Sequence, residues 1–256
     1  MLNRQLVYEF FSDLPSLFRR SMLREYLQYK ALQYVYESVF GSDLVFMGGT
    51  AIHIFHGCNR FSEDLDFDNR GLTAGDFSGL GKYVVRRFSL EDVECRANLR
   101  SSRAFSVRLR FPEILQKWEL TGHPDELMMI KIDAFPQEYE CQPSIRLLNR
   151  LDVIAKIPVT PPAVLLSQKL YAILTRKRLM GRDIYDASWL LGQTTPDYSY
   201  LEKHSGIRYR TELRERLNDR IRSVPITSLM RDIEPFIPDR SGLLRVETFS
   251  EQIEEI

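Results

Sequence analysis

The chain has 256 residues, 44% of them hydrophobic and 27% charged, so it can bury a sizeable core in one large domain or two smaller ones. Lys and Arg together number 35, as do Asp and Glu, and the formal net charge is zero. This balance argues against nonspecific attraction of the whole surface to nucleic acid or membrane, although it permits a local basic patch.

The cysteines and the apolar segments indicate the cellular location of the protein. Cys58, Cys95 and Cys141 are widely spaced and include no CxxC pair, which argues against a disulfide framework and a structural zinc site. The first 20 residues contain acidic residues and a proline, unlike a signal peptide. No apolar run reaches the roughly 20 residues of a membrane-spanning helix. We therefore expect a cytoplasmic protein without a membrane partner.

Hydrophobic spacing in the first part of the chain predicts mixed helices and strands. The predicted order is a helix at 16–40, a strand at 44–47, a Gly-Gly-Thr turn into a short helix at 51–56, a strand at 60–68, a helix at 73–88, strands at 93–99, 104–111 and 127–135, and two short strands between 145 and 158.

The pattern changes after residue 158. Pro161 and Pro162 can begin a helix, predicted at 163–178, and further helices are predicted at 183–191, 211–222 and 228–233. The sequence therefore predicts an α+β fold with two domains. Residues 1–158 form a mixed β-sheet with flanking helices, and residues 159–256 form a helical domain that completes the active-site cleft.

Acidic residues alternate with apolar ones in the predicted strand at 60–68. Ser62, Asp64 and Asp66 would share one face, with Cα atoms of successive members roughly 6.5–7 Å apart. Carboxylates at this spacing can converge on hard cations such as Mg²⁺. The alternative is that the two aspartates form the solvated face of an edge strand.

Two further segments could serve the same site. Gly48, Gly49 and Thr50 precede a helix, where backbone amides can approach phosphate oxygens, although such a pair of glycines can also be only a tight turn. Lys131 and Asp133 share one face of an otherwise apolar strand. Charges there either pair with each other for structural reasons or serve a site.

These segments resemble the motifs of the AbiEii/AbiGii toxin family of nucleotidyltransferases, within the DNA polymerase β-like superfamily. The first motif, GGTAL, a spacer and R-x-S-x-D-x-D, is matched, with Ile52 for leucine, by Gly48, Gly49, Thr50, Ala51, Arg60, Ser62, Asp64 and Asp66. The second, K-x-D, is matched by Lys131 and Asp133. The third, a proline before a helix with K-L-x-A-L and an arginine, is matched, with Ile173 for leucine, by Pro162, Lys169, Leu170, Ala172 and Arg176. The fourth, R-D-hydrophobic-x-D, is matched by Arg182, Asp183, Ile184 and Asp186.

The resemblance implies a nucleotidyltransferase-type sheet and a reaction that depends on two Mg²⁺ ions. Asp64 and Asp66 would bind both ions, and Asp133 would complete the site of the ion that activates the acceptor hydroxyl. The implied catalytic residues are Asp64, Asp66, Asp133 and Lys169. The implied nucleotide-binding residues are Gly48, Gly49, Thr50, Ser62, Lys131, Lys169, Arg176, Arg182 and Asp186.

Lys169 and Arg176 lie two helical turns apart, so both would face one side of a helix, where they could bind the triphosphate. Alternatively, Lys169 only extends along an amphipathic helix. Asp183 and Asp186 share a helix face. Either could orient Lys169 or Arg182, and Asp183 could be only a favourable first-turn acid.

The resemblance further implies a growth-inhibiting toxin with a cognate antitoxin, which transfers a nucleotide from a nucleoside triphosphate to RNA, at the 3′ end of tRNA or elsewhere. Two arginine-rich segments could hold an RNA backbone or could be solvated, ion-paired surfaces. The first contains Arg96, Arg100, Arg103, Arg108 and Arg110. The second contains Arg208, Arg210, Arg214, Arg216, Arg220 and Arg222. The rival hypotheses are a nucleotidyltransferase acting on small molecules such as aminoglycosides, and a catalytically silent binding module.

Overall fold

A computed structural model describes residues 3–101 and 105–255, without the side chains of Arg100 and Ser101. The chain divides into two compact units. The first comprises Met1–Ala51 and Ser62–Val159, and the second comprises Ile52–Phe61 and Thr160–Ile256. The change of unit after residue 159 falls one residue from the sequence boundary. Residues 52–61, however, belong to the second unit, whereas the sequence pattern predicts them in the first domain.

The first unit contains a seven-stranded mixed sheet. Its strands are β1 Leu44–Met47, β2 Leu65–Asn69, β3 Arg96–Ser101, β4 Phe105–Phe111, β5 Met128–Phe135, β6 Ser144–Arg150 and β7 Val153–Val159. Their order across the sheet is β3-β4-β5-β2-β1-β7-β6. β2 runs parallel to β5, and β1 runs parallel to β7, while the other neighbouring pairs are antiparallel.

The helices wholly within the first unit are α1 Arg4–Phe10, α2 Arg19–Glu37, α4 Ala74–Ser89 and α5 Ile114–Lys117. Thr73 begins α4 with a capping box, in which its hydroxyl accepts a hydrogen bond from the Asp76 N–H and the Asp76 carboxylate accepts one from the Thr73 N–H. α4 packs on β3 and β4, where Gly81 lies against Val107. This side of the sheet is therefore apolar and covered.

α3 Gly48–His56 follows β1 directly, and its first four residues belong to the first unit while the rest belong to the second. The other helices of the second unit are α6 Pro162–Thr175, α7 Gly181–Leu191, α8 Tyr198–Ser205, α9 Arg210–Arg222, α10 Ile226–Ile233, α11 Leu244–Glu247 and α12 Phe249–Glu254. α6 and α7 pack on each other, and α10 and α11 pack on α7. A cluster of buried apolar side chains, including Leu170, Ile184 and Leu213, forms the core of this unit.

The structure confirms the predicted fold class, a mixed sheet followed by helices, but moves several boundaries. The strand predicted at 60–68 begins only at Leu65, so Ser62 and Asp64 lie in an irregular segment before it. The helix predicted at 163–178 ends at Thr175, which leaves Arg176 at its C-cap. The spacing of hydrophobic residues did not predict the helices α1, α5, α8, α11 and α12. No helix within residues 3–101 and 105–255 is both long and apolar enough to cross a membrane.

Candidate active site

Asp66 and Asp133 occupy facing positions on neighbouring strands. β2 and β5 run parallel, with Asp66 in register with Asp133 and Leu65 in register with Ile132. Because side chains at matching positions of adjacent strands project from the same face, the two carboxylates lie side by side, with strands about 4.8 Å apart. Leu65 and Ile132 project to the opposite, buried face. The sheet therefore brings together carboxylates that lie 67 residues apart in the sequence.

Gly48 lies against the carboxylate of Asp66. Its φ of +77° falls in the left-handed region, which favours glycine. A Cβ at this position would overlap with Asp66 Oδ2 and crowd the Cβ of Asp66. The first motif thus requires glycine for two reasons, the backbone conformation and the space that the Asp66 carboxylate occupies.

The first turn of α3 is also attached to the segment that contains Asp64. The buried hydroxyl of Thr50 donates a hydrogen bond to the backbone carbonyl of Asp64. Gln28 Nε2 donates to the carbonyl of Ser62 at 3.1 Å. These bonds fix the irregular segment before β2. Gly49 continues the first helical turn, whose N–H groups have no partner within the helix.

Asp133 presents one oxygen to Lys131, whereas its other oxygen has no hydrogen-bond partner within residues 3–101 and 105–255. Lys131 Nζ forms an ion pair with Asp133 Oδ2, as expected for a structural pair of charges. Asp133 Oδ1 is buried and accepts no hydrogen bond from the part of the chain that the structure describes. A buried carboxylate oxygen without a donor is costly, and a cation or a ligand hydroxyl would relieve this cost.

The donors around Asp66 fit a magnesium ion that is shared with a substrate. Within the described part of the chain, no three His, Cys, Asp or Glu side chains converge closely enough to enclose a metal ion. Mg²⁺ in phosphoryl-transfer sites is commonly bound by one or two carboxylates together with substrate phosphates. The facing carboxylates of Asp66 and Asp133, with the unpartnered Asp133 Oδ1, meet that requirement. That Asp64 completes the ligand set remains a prediction.

The remaining candidate residues form an ion-pair network in the second unit. Arg60 donates from Nε to Asp186 Oδ1 and from Nη2 to Asp186 Oδ2, both at 2.6 Å. Both side chains are buried. Arg60 matches a family motif, but its sequence context alone indicates no role for it. The sequence feature that could have indicated the pair is that Arg60 and Asp186 are both motif residues and carry opposite charges.

Lys169 lies in the same network, between two aspartates. Its Nζ is 2.8 Å from Asp186 Oδ2 and 3.1 Å from Asp183 Oδ1. Burial alone would lower the pKa of Lys169, but the attraction of Asp186 and Asp183 is stronger, and the net pKa is raised. Lys169 is therefore a charged residue, 12% exposed, whose ammonium group is held by two aspartates and does not extend along the surface.

Arg176 contributes the third positive charge. Its Nε lies 3.2 Å from Asp183 Oδ2, without the alignment of a hydrogen bond, and its side chain is 44% exposed. Three cations thus surround two carboxylates, which leaves one excess positive charge. Each aspartate forms ion pairs with two cations. Asp186 pairs with Arg60 and Lys169, and Asp183 pairs with Lys169 and Arg176. Arg182 is half-buried at the start of α7.

Comparisons with known proteins identify the fold and the family of the chain. No curated protein matches the chain. The fold is similar to that of MenT4, a nucleotidyltransferase toxin from Mycobacterium tuberculosis, with a TM-score of 0.59, 18% identity and coverage of 100% of this chain and 91% of that one. It is also similar to JHP933 from Helicobacter pylori, with a TM-score of 0.54, 17% identity and coverage of 94% of each chain.

The family comparison covers most of the sequence. Residues 30–255 match the model of the nucleotidyl transferase AbiEii toxin of type IV toxin–antitoxin systems. This range includes the facing aspartates, the first turn of α3 and the whole ion-pair network. The chain therefore belongs to the AbiEii family of nucleotidyltransferase toxins.

Proposed function

We propose that this nucleotidyltransferase transfers a nucleoside monophosphate from a nucleoside triphosphate to a hydroxyl of an RNA acceptor, with tRNA the first candidate. The observation that carries the proposal is the pairing of Asp66 with Asp133 beside a helix start that only glycine can form. The reaction forms a bond between the acceptor oxygen and the α-phosphorus. It breaks the bond from that phosphorus to the β-phosphate and releases pyrophosphate.

Different residues of the first unit would bind the triphosphate and the acceptor. The N–H groups of Gly48, Gly49 and Thr50 would bind phosphate oxygens of the triphosphate. Ser62 would donate a hydrogen bond to a phosphate. The unpartnered Asp133 Oδ1 would accept a hydrogen bond from the acceptor hydroxyl and orient its oxygen.

Asp64, Asp66 and Asp133 would hold two Mg²⁺ ions, which when bound lower the pKa of the acceptor hydroxyl and neutralise charge on the phosphates. Lys131 would limit the repulsion between the facing carboxylates while the ions are absent, because its ammonium already pairs with Asp133. In the second unit, we assign Lys169, Arg176 and Arg182 to electrostatic stabilisation of the triphosphate, and Asp186 to holding Lys169.

Label transfer tests the reaction. The protein is incubated with each α-labelled nucleoside triphosphate and total RNA, with magnesium or with a chelator, and the RNA is separated on a gel. We expect label in RNA with magnesium only. Asp66→Asn should abolish it, because the amide carries no charge for a cation, whereas the exposed Asp125→Asn should transfer like the parent protein.

Other outcomes would contradict parts of the proposal. Label in small molecules but never in RNA would favour the aminoglycoside-type rival. Absence of label with every triphosphate would favour a silent module. Growth arrest on expression that Asp66→Asn relieves would connect the reaction to toxicity, and a neighbouring gene that relieves the arrest would identify the antitoxin, which we expect to act in the cytoplasm.

A further inference from the structure

One face of β4 carries a row of polar and basic side chains beside the facing aspartates. Ser106 is in register with Asp133, Arg108 with Lys131, and Arg110 with Met129. Because residues two apart on a strand share a face, Ser106, Arg108 and Arg110 lie on the side of Asp66 and Asp133. Val107 projects to the other side, where Gly81 of α4 packs against it. We call these three residues the β4 row.

The β4 row contains polar atoms without hydrogen-bond partners among the described residues. Ser106 Oγ and Arg108 Nε are buried, and neither forms a hydrogen bond with this part of the chain. Neither Arg108 nor Arg110 forms an ion pair with any residue in the ranges 3–101 and 105–255. Leaving a partly buried guanidinium without an anion is costly, so the row is suited to a negatively charged ligand.

In the second arginine-rich segment, three of the six arginines form ion pairs among the described residues. Arg208 pairs with Glu202 at 2.8 Å, Arg216 with Glu212 at 2.6 Å and Arg214 with Glu254 at 3.5 Å. Arg210 and Arg220 donate hydrogen bonds to backbone carbonyls. In the first segment Arg96 pairs with Glu94, and Arg103 lies outside the described residues. Arg108 and Arg110 differ from these arginines in position, because they lie in the row beside the facing aspartates.

The order of the strands indicates which substrate the β4 row would meet. From the start of α3, which follows β1, the order is β1, β2 with Asp66, β5 with Asp133, and then β4. Neighbouring strands are about 4.8 Å apart, so the β4 row and Gly48 lie on opposite sides of the two carboxylates. If the triphosphate binds at Gly48, the β4 row lies on the acceptor side.

We propose that Ser106 and Arg108, extended by Arg110, bind backbone phosphates of the acceptor RNA. The guanidinium of Arg108 would donate to the oxygens of a phosphodiester, and the Ser106 hydroxyl would donate to the same group. The naming of RNA as the ligand rests on the proposed function. The positions of the three residues and their unused donors do not depend on it.

RNA binding without reaction tests the inference separately from catalysis. The full chain carrying Asp66→Asn is titrated, without triphosphate, into a fluorescent short single-stranded RNA, and anisotropy gives the affinity. Adding Arg108→Gln should weaken binding about tenfold and lower the salt slope by about one, as expected for one lost phosphate contact. Arg108→Lys should keep most of the affinity. Arg86→Gln removes an exposed arginine from α4, which packs on the opposite face of the sheet. This control should change neither the RNA affinity nor the salt slope.

Steady-state transfer supplies the second measurement. Arg108→Gln should raise the KM for RNA and leave the KM for the triphosphate unchanged. A raised KM for the triphosphate with unchanged RNA affinity would overturn the inference, because the bound phosphate would then belong to the nucleotide. Equal RNA affinities for Arg108→Gln and Arg86→Gln, or no RNA binding by the parent, would also overturn it.

The two failures are distinguishable. If no triphosphate supports transfer but Arg108→Gln still weakens RNA binding, the proposed function fails and the binding row stands. A fall in the melting temperature of both Arg108→Gln and Arg108→Lys, with RNA affinity per folded molecule unchanged, would show a structural role and overturn the inference.

Discussion

Arg60 and Asp186 form a buried two-point ion pair across 126 residues of sequence. Arg60 is 3% exposed and Asp186 is fully buried. The pair connects the arginine of the first motif to the last aspartate of the fourth, within the second unit. It explains why Arg60, the first residue of R-x-S-x-D-x-D, belongs to the helical second unit although the aspartates of the same motif belong to the first.

The first prediction concerns the stability of this pair. Asp186→Ala should destabilise the protein by about 3–5 kcal/mol, because it leaves Arg60 charged, buried and without its main partner. The control is the ion pair between the exposed Arg178 and the half-buried Asp232, and Arg178→Ala should cost about 1 kcal/mol or less. Urea unfolding measures both. Equal costs would show that burial of the Arg60–Asp186 pair has no energetic consequence.

The second prediction concerns acid. Burial by itself would raise the pKa of Asp186, but Arg60 and Lys169 outweigh it and hold this pKa below the ordinary value of 3.8. A depressed native pKa contributes stability above pH 3.8, and this contribution is lost as the pH falls through the native pKa. The stability advantage of the parent over Asp186→Asn should therefore shrink below that pH. An advantage that stays constant on acidification would contradict the assignment.

The third prediction separates backbone strain from damage to the site. Gly48→Ala and Gly206→Ala both place a Cβ at positive φ, of +77° and +73°, at a cost of about 1–2 kcal/mol. Gly48→Ala also drives a Cβ into Asp66, whereas a Cβ at Gly206 would meet no atom of the described residues within 4 Å. Transfer activity should fall sharply in Gly48→Ala alone. Similar activity in the two variants, at matched stability, would show that Asp66 is not required where it lies.

The fourth prediction tests the role of Lys169. Lys169→Met should lower the melting temperature, because Asp183 and Asp186 lose a buried cation. If Lys169 also stabilises the triphosphate, kcat/KM should fall about 10²–10³-fold under conditions where the variant is folded. Arg176→Gln removes a half-exposed cation from the same network and should leave the melting temperature nearly unchanged. A destabilised Lys169→Met with parental kcat/KM would assign Lys169 to structure alone.

The fifth prediction concerns the reactivity of the three cysteines. Burial raises the pKa of Cys58, and it raises the pKa of Cys95 to about 12, so neither forms a thiolate near neutral pH. Cys141 is partly exposed. Brief alkylation of the native protein, followed by mass spectrometry, should label Cys141 first, and all three cysteines should react in urea. Rapid native labelling of Cys58 would contradict the burial of the network beside Asp186.

Local sequence patterns predicted much of the fold because each depends on neighbouring residues. The alternation around Ile130 and Ile132 identified β5, and the prolines at 161 and 162 marked the start of α6. The same alternation wrongly predicted a strand at Ser62 and Asp64, where the chain is irregular. There the hydrogen bonds to Gln28 and Thr50, from elements distant in sequence, set the conformation.

The sequence by itself determined the family motifs, the fold class and the identity of the charged residues. Only the tertiary structure decided which charges are paired. The register of β2 and β5 places Asp66 opposite Asp133, and helix packing places Lys169 between Asp183 and Asp186. The reason is physical: local spacing sets the face on which a side chain lies, whereas a buried charge is stabilised by a partner that only long-range folding brings within a few ångströms.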